Sequence, residues 1–93
     1  MNNINNIFNN PLLKGDFRTD FNCSGNMNDY RDSGLFSGYK MDNAPVANTW
    51  FTWINFQHNH NPSYMVQAGF SYNSLNLYAR QYIDGSWSTW RKI

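Results

Sequence analysis

Cysteine is scarce and long apolar runs are absent in this 93-residue chain, and each shortage excludes a class of protein. Cys23 is the only cysteine, so no disulfide can form within one chain and a disulfide-stapled secreted miniprotein is excluded. No stretch approaches the ~20 apolar residues of a membrane-spanning helix. The amino terminus lacks the basic-then-apolar order of a signal peptide. The sequence therefore predicts a protein made in a cytoplasm and not inserted into a membrane.

Charge is sparse as well. Seven Lys and Arg face six acids, all of them Asp, which leaves a formal net charge of +1. Binding to nucleic acid requires a basic patch or stripe. No such cluster occurs in the sequence, so nucleic acid is a poor partner.

Aromatic residues are abundant, with four Trp, six Tyr and seven Phe making up 18% of the chain. Rings of this size can supply much of the core of a small domain. Many rings together with many Asn residues also suit sugar recognition, because amides bond to hydroxyls and rings cover the apolar C–H faces of a sugar. An AT-rich genome would explain the Asn excess equally well.

The chain is predicted to consist of an irregular arm, residues 1–26, and one small β-domain, residues 27–93. The arm is rich in Asn, and its apolar residues follow no sustained helical period, which suggests a flexible arm or a stalk remnant. A short strand around Leu35–Tyr39 is expected to enter the domain. Three longer strands are predicted from aromatic and β-branched residues bounded by turn formers, at Thr49–Gln57, Tyr64–Tyr72 and Leu75–Ile83.

The separators between these strands predict an antiparallel meander. A loop at His58–Ser63 joins the first two, a two-residue turn at Asn73-Ser74 joins the next two, and Asp84-Gly85 is a further turn signal. The predicted fold class is mainly β.

Period-2 alternation sorts the strand residues into two faces. The face that holds Trp50, Ile54 and Phe70 is predicted to be the core. The opposite face mixes rings, amides and one guanidinium, so we expect it to be an interaction surface. Its candidate ligand-binding residues are Trp53, Asn55, Gln67, Asn76, Tyr78, Arg80 and Tyr82. A one-residue bulge would exchange the two faces from that point onward.

The carboxy-terminal segment carries a recognisable motif. Gly85, Trp87 and Trp90 form a Gly-x-Trp-x-x-Trp arrangement that resembles the terminal signature of pyocin-knob domains. Upstream pieces occur in the order that this family shows, namely Gly38-Tyr39, Asn43-Ala44-Pro45, Trp50–Phe56, Gln67-Ala68 and Tyr78–Tyr82. The resemblance covers about residues 27–93.

The resemblance implies a receptor-binding tip domain in the tail fibre of a phage or a phage-like bacteriocin. Such fibres are homotrimers that meet the bacterial surface, so the expected partner is a cell-surface polysaccharide or a teichoic-acid-like polymer. The alternative is structural: a trimerisation or spacer knob, or a fibre-capping accessory subunit without receptor contact. Catalysis is not expected, because a glycosidase needs two carboxyls held about 5–9.5 Å apart and most of the Asp residues lie in the arm or in turns.

Three residues near the terminus have two competing roles. Arg80 is predicted to stack on Trp87 or Trp90 and so to orient the terminus, with ligand contact as the alternative. The two Trp residues are predicted to plug the core, with a sugar platform as the alternative.

His58 and His60 are the only histidines and flank Asn59. An extended His-x-His places both imidazoles on one side, and three chains would then offer six nitrogens around a threefold axis, enough for an octahedral metal ion. A solvated loop is the simpler interpretation. No other cofactor is predicted.

Overall fold

A single mixed sheet forms the frame of the protein, described by a computed structural model for residues 17–93. Within this part of the chain the strand order is β1-β2-β3-β4-β5-β6, and β7 also pairs with β5. β1 and β2 are parallel, and the other pairs are antiparallel. The strands are β1 Arg18–Cys23, β2 Gly34–Tyr39, β3 Trp50–Gln57, β4 Tyr64–Ser71, β5 Tyr78–Ile83, β6 Ser86–Trp87 and β7 Arg91–Lys92.

Short helical turns complete the described fold. They are the 3-10 helices Met27–Asp29 and His58–His60. None of the helices that residues 17–93 form is long and apolar enough to cross a bilayer.

The prediction of a mainly β, largely antiparallel domain is confirmed, and β2, β3 and β4 match the predicted strands closely. The prediction of a two-residue hairpin turn at Asn73-Ser74 is wrong, because β4 ends at Ser71 and β5 begins only at Tyr78. In the segment between β4 and β5, the Ser71 hydroxyl donates to Oδ1 of the Asn73 side chain. The Ser74 hydroxyl accepts from the backbone N–H of Asn76. Such local side-chain bonds compete with ladder formation.

The sheet begins at Arg18, inside the segment that was expected to be an irregular arm as far as residue 26. β1 pairs in parallel with β2, starting with Arg18 opposite Gly34. Its own residues show no clear alternation of buried and exposed positions, so it owes its strand conformation to pairing with β2. Residues 1–16 of the predicted arm lie outside the described residues.

The turn predicted at Asp84-Gly85 is confirmed. These two residues connect β5 to β6, with φ values of 48° and 92°. Two consecutive positive φ values are typical of the tight hairpin turns whose twist matches that of the flanking strands.

The residues divide between the two faces of the sheet as the alternation predicted. The face that was predicted to be the core is exposed, and the face that was predicted to be an interaction surface is buried. Phe36, Phe51 and Trp53 are buried at 1% exposure or less. Ile54 and Phe70, which were predicted to be core, are 37% and 48% exposed. The prediction of which face forms the core is therefore wrong.

The cause of the reversal is the path of the connecting segments. The face of Phe51 and Trp53, here called the covered face, packs against Met27 and Tyr30 from the β1–β2 connection and Met41 from the β2–β3 connection. The opposite face, here called the bare face, keeps its large side chains exposed in the described part of the chain.

Gly69 lies directly opposite Trp53 in the β3–β4 ladder. A Cβ atom at Gly69 would collide with the carbonyl of Thr52 and lie 2.8 Å from Cα and Cβ of Trp53. These are backbone and near-backbone atoms that cannot rotate away. Glycine therefore permits the close approach of β3 and β4 beneath the largest core side chain.

Gly69→Ala should lower the free energy of unfolding by about 1–3 kcal/mol, the usual cost of overpacking a core. Urea denaturation followed by Trp fluorescence measures this change. An unchanged transition midpoint would show that β4 can move away from β3 without loss, contrary to the packing described.

Candidate functional site

A row of polar residues crosses the covered face of the sheet and forms the candidate functional site. This polar row consists of direct cross-strand partners on β3, β4 and β5, namely Asn55, Gln67 and Arg80. At its β2 end, Asn55 lies opposite Gly34. Asn55 and Gln67 are fully buried, and Arg80 is only 6% exposed. Polar groups buried in this way need hydrogen-bond partners within the protein.

The amides of this row bind the backbone of the segment that covers them. The Asn55 amide donates to two carbonyl oxygens at 2.6 and 3.1 Å, and the Gln67 amide donates to a third at 3.1 Å and also to the first of these at 3.4 Å. These carbonyls belong to Tyr30, Asp32 and Met27, in that order. This irregular segment has no neighbouring strand whose N–H groups could bond to its carbonyl oxygens. Side-chain amides of the sheet donate to these carbonyl oxygens instead.

Arg80 extends the row toward the carboxy terminus. Its Nε donates to Oε1 of Gln67 and its Nη2 to Oδ1 of Asn28, both at 2.8 Å. The guanidinium carbon lies 4.0 Å from the ring centroid of Trp87 and 4.6 Å from that of Trp90. The predicted stacking of Arg80 on the terminal Trp residues is confirmed, and it involves both rings.

Arg80 forms no ion pair with a carboxylate of residues 17–93. In residues 17–93 the ion pairs are those of Arg18 with Asp20 and with Asp32. Burial lowers the pKa of Arg80 from its ordinary value to about 10, so the side chain remains protonated at neutral pH. A delocalised, weakly hydrated guanidinium tolerates such a site, where amide oxygens and ring faces replace water.

Trp90 docks the chain terminus on the covered face. Its indole Nε1 donates to the Asn43 carbonyl at 2.7 Å, and its ring meets Phe51 edge to face at 5.8 Å. The ring packs against the core cluster, as the core interpretation of this residue predicted.

The predicted ligand-binding residues do not form one accessible surface. Trp53, Asn55 and Gln67 are buried to 1% exposure or less, so the expectation that they lie on an exposed interaction face is wrong. Tyr78 is partly buried against the core. Asn76 is exposed, but in the β4–β5 connection and outside the ladder.

Tyr82 lies at an accessible edge of the covered face, in a group with Trp87 and Arg31 that we call the edge cluster. The rings of Tyr82 and Trp87 meet edge to face at 5.0 Å, and the Arg31 guanidinium carbon lies 3.7 Å from the Tyr82 ring centroid. All three side chains are half-buried. Arg31 was not among the residues predicted from the sequence, because it comes from the β1–β2 connection, far from Tyr82 in sequence.

His58 and His60 lie exposed in a 3-10 turn. The expectation of an extended His-x-His is wrong, because Asn59 and His60 adopt φ values of 52° and 56°. Residues 17–93 contain no group of three or more His, Cys, Asp or Glu that could hold a metal ion. A metal site shared among three chains stays a prediction.

Gln67→Met should lower the free energy of unfolding by about 2–4 kcal/mol, because it leaves the charged Arg80 Nε without its acceptor and removes the Gln67 bond to the Met27 carbonyl. Urea denaturation measures the loss. Gln81→Met is the matched control, since Gln81 is exposed and its substitution should change stability by less than about 0.5 kcal/mol. Equal effects of the two substitutions would contradict the role assigned to the polar row.

Comparison with known proteins identifies the fold. No protein-family model matches the sequence, and no curated protein matches it either. The structure is similar to the selenomethionine structure of an N-truncated R2-type pyocin tail fibre, with a TM-score of 0.64 and 17% sequence identity. The match covers 81% of this chain and 31% of the tail-fibre chain. At this identity the similarity establishes the fold alone, and it confirms the fold implied by the pyocin-knob resemblance.

Proposed function

We propose that this chain is the receptor-binding domain of a phage-type tail fibre and that it binds a bacterial cell-surface glycan or teichoic-acid-like polymer as a homotrimer, without catalysis. The observation that carries the proposal is the fold, which matches part of a tail fibre over 81% of this chain. The protein would then belong to the tail of a phage or a phage-like particle.

The edge cluster supports a polymer ligand. Tyr82 and Trp87 are half-buried, and aromatic ring surface that stays accessible can cover the C–H groups of a sugar. Arg31 donates to the Pro62 carbonyl at 2.7 Å and has no carboxylate within ion-pair distance among residues 17–93. A guanidinium in this state can form charge-assisted bonds to phosphate or carboxylate groups on a wall polymer.

The acids that pair with other side chains support binding rather than acid–base chemistry. Asp20 and Asp32 lie 3.5 and 3.4 Å from Arg18. Asp84 accepts from the Tyr64 hydroxyl at 3.4 Å, and the charge of this carboxylate raises the pKa of Tyr64. Each of these carboxylates is thus engaged with a neighbouring side chain, and Asp20 and Asp32 share the Arg18 guanidinium.

A structural role is the second candidate, and the bare face favours it. A trimerisation or spacer knob would use that face for contacts with neighbouring chains and would need no receptor. The two candidates differ in one respect that can be measured, which is adsorption to cells.

Tyr82→Ala should reduce adsorption of the labelled protein to susceptible bacteria about tenfold, equivalent to about 1.4 kcal/mol, because the edge cluster loses its central ring. A panel of bacterial strains and their purified wall polymers identifies the ligand first. Thermal melting and native mass confirm that the variant stays folded and assembled.

Tyr72→Ala is the matched control, since Tyr72 is 73% exposed and lies outside the edge cluster. It should bind like the wild type. Wild-type binding by Tyr82→Ala would remove the edge cluster as the ligand site. An assembled protein that adsorbs to no strain or wall polymer would favour the structural knob.

A further inference from the structure

A trough lies along the outer edge of β5, on the same side of the sheet as the bare face. β6 pairs with β5 as far as Trp87, and β7 pairs with it again from Arg91. Residues 88–90 belong to neither strand, and Trp90 packs against the core on the covered face. Beside this interruption lie two adjoining depressions, of about 210 and 260 Å³. Together they form the trough.

Gln81 and Ser88 line both depressions and form the wall that they share. The backbone N–H of Gln81 donates to the Ser88 hydroxyl at 3.0 Å, and the backbone N–H of Ser88 donates to the Gln81 carbonyl at 2.8 Å. The Ser88 hydroxyl also donates to the Thr89 carbonyl at 3.0 Å. The wall is therefore fixed before a ligand arrives, which lowers the entropy cost of binding. These bonds use the backbone of Gln81, and its side chain is exposed.

The two ends of the trough differ in chemistry. Arg91 lines the first depression, is exposed, and forms no ion pair with a carboxylate of residues 17–93. Ser86 lines the second depression and is also exposed. On β5, the residues opposite Arg91 and Ser86 are Ala79 and Ile83, four positions apart. At about 3.3 Å per residue, the two ends lie about 13 Å apart.

The size and lining of the trough suit a chain of sugars. Each depression is smaller than the ~300–1,000 Å³ pockets that enclose a whole small ligand, so successive units of a polymer fit better than one compact molecule. The Gln81 amide and the Ser86 hydroxyl can bond to sugar hydroxyls. A planar guanidinium such as that of Arg91 forms paired, charge-assisted bonds to a carboxylate or a phosphate. The apolar side chains beside these groups are Val66, Ala79, Ile83 and Ile93.

We propose that the trough binds two consecutive units of an acidic polysaccharide, with the acid group on Arg91 and the neighbouring unit between Gln81 and Ser86. This site is separate from the edge cluster, because Gln81 and Tyr82 are adjacent on β5 and their side chains lie on opposite faces of the sheet. The bacterial origin of the polysaccharide rests on the proposed function. The selection of an acidic chain rests on the trough alone.

Nuclear magnetic resonance of the isotope-labelled protein tests the proposal by titration with three oligosaccharide-like probes of similar length. They are a polygalacturonate oligomer, which carries carboxylates, a glycerol-phosphate teichoic-acid oligomer, which carries phosphates, and a neutral dextran oligomer. The N–H signals of Gln81, Ser86 and Arg91 should shift with at least one acidic probe and stay in place with dextran. The tighter of the two acidic probes identifies the acid group.

Arg91→Gln should weaken binding of the acidic probe about tenfold, equivalent to about 1.4 kcal/mol, because it removes the guanidinium from the trough. Lys92→Gln is the matched control. It removes the same charge from the next exposed residue, whose cross-strand partner Tyr78 lies against the core on the covered face. This control should bind the acidic probe within about twofold of the wild type.

Gln81→Ala repeats the test if Arg91→Gln loses the circular dichroism of the wild type, and it should also weaken binding several-fold. Equal losses in Arg91→Gln and Lys92→Gln would show that net charge alone attracts the probe and would overturn the proposal. Equal shifts with dextran, or no shifts with any probe, would overturn it too. Shifts confined to Arg31, Tyr82 and Trp87 would overturn it and support the edge cluster. Shifts in the trough without adsorption of the protein to any bacterial strain would support it and contradict the proposed function.

Discussion

Side-chain amides on the sheet hold the backbone of the segment that covers it, and the rest of the structure depends on these bonds. Asn55 and Gln67 satisfy carbonyl oxygens of residues 27–32 that have no strand partner. A buried carbonyl left unsatisfied costs about 1–3 kcal/mol, so the amides decide where this segment can lie. The segment in turn brings Tyr30 against Phe36 and Trp53, at 5.4 and 5.7 Å between ring centroids. Polar bonds thus position the apolar core.

Arg80 links this arrangement to the carboxy terminus. It bonds to Gln67 on one side and lies between Trp87 and Trp90 on the other. The Gly-x-Trp-x-x-Trp motif is therefore explained by structure: its rings provide the environment in which a buried guanidinium can remain charged without an acid.

The interior and the two surfaces have separate roles. The covered side ends in the edge cluster, where two half-buried rings lie beside a guanidinium that forms no ion pair with a carboxylate of residues 17–93. The bare face is apolar at its centre, with the exposed Gln81 opposite Val66 and Arg91 opposite Ala79 in its outer rows. The polar row between them can be altered only at the expense of folding.

Strands β2 to β4, most of β5, the Asp84-Gly85 turn and the sorting of side chains into two faces could be predicted from the sequence, because these follow from local backbone preferences and period-2 alternation. The stacking of Arg80 on the terminal Trp residues was also predictable. Which face is buried could not be predicted in this way. Alternation is the same whichever side is inside, and burial depends on where the β1–β2 and β2–β3 connections cross the sheet. The strand β1 and the place of Arg31 beside Tyr82 were decided in the same way, because both arise from contacts between segments distant in sequence.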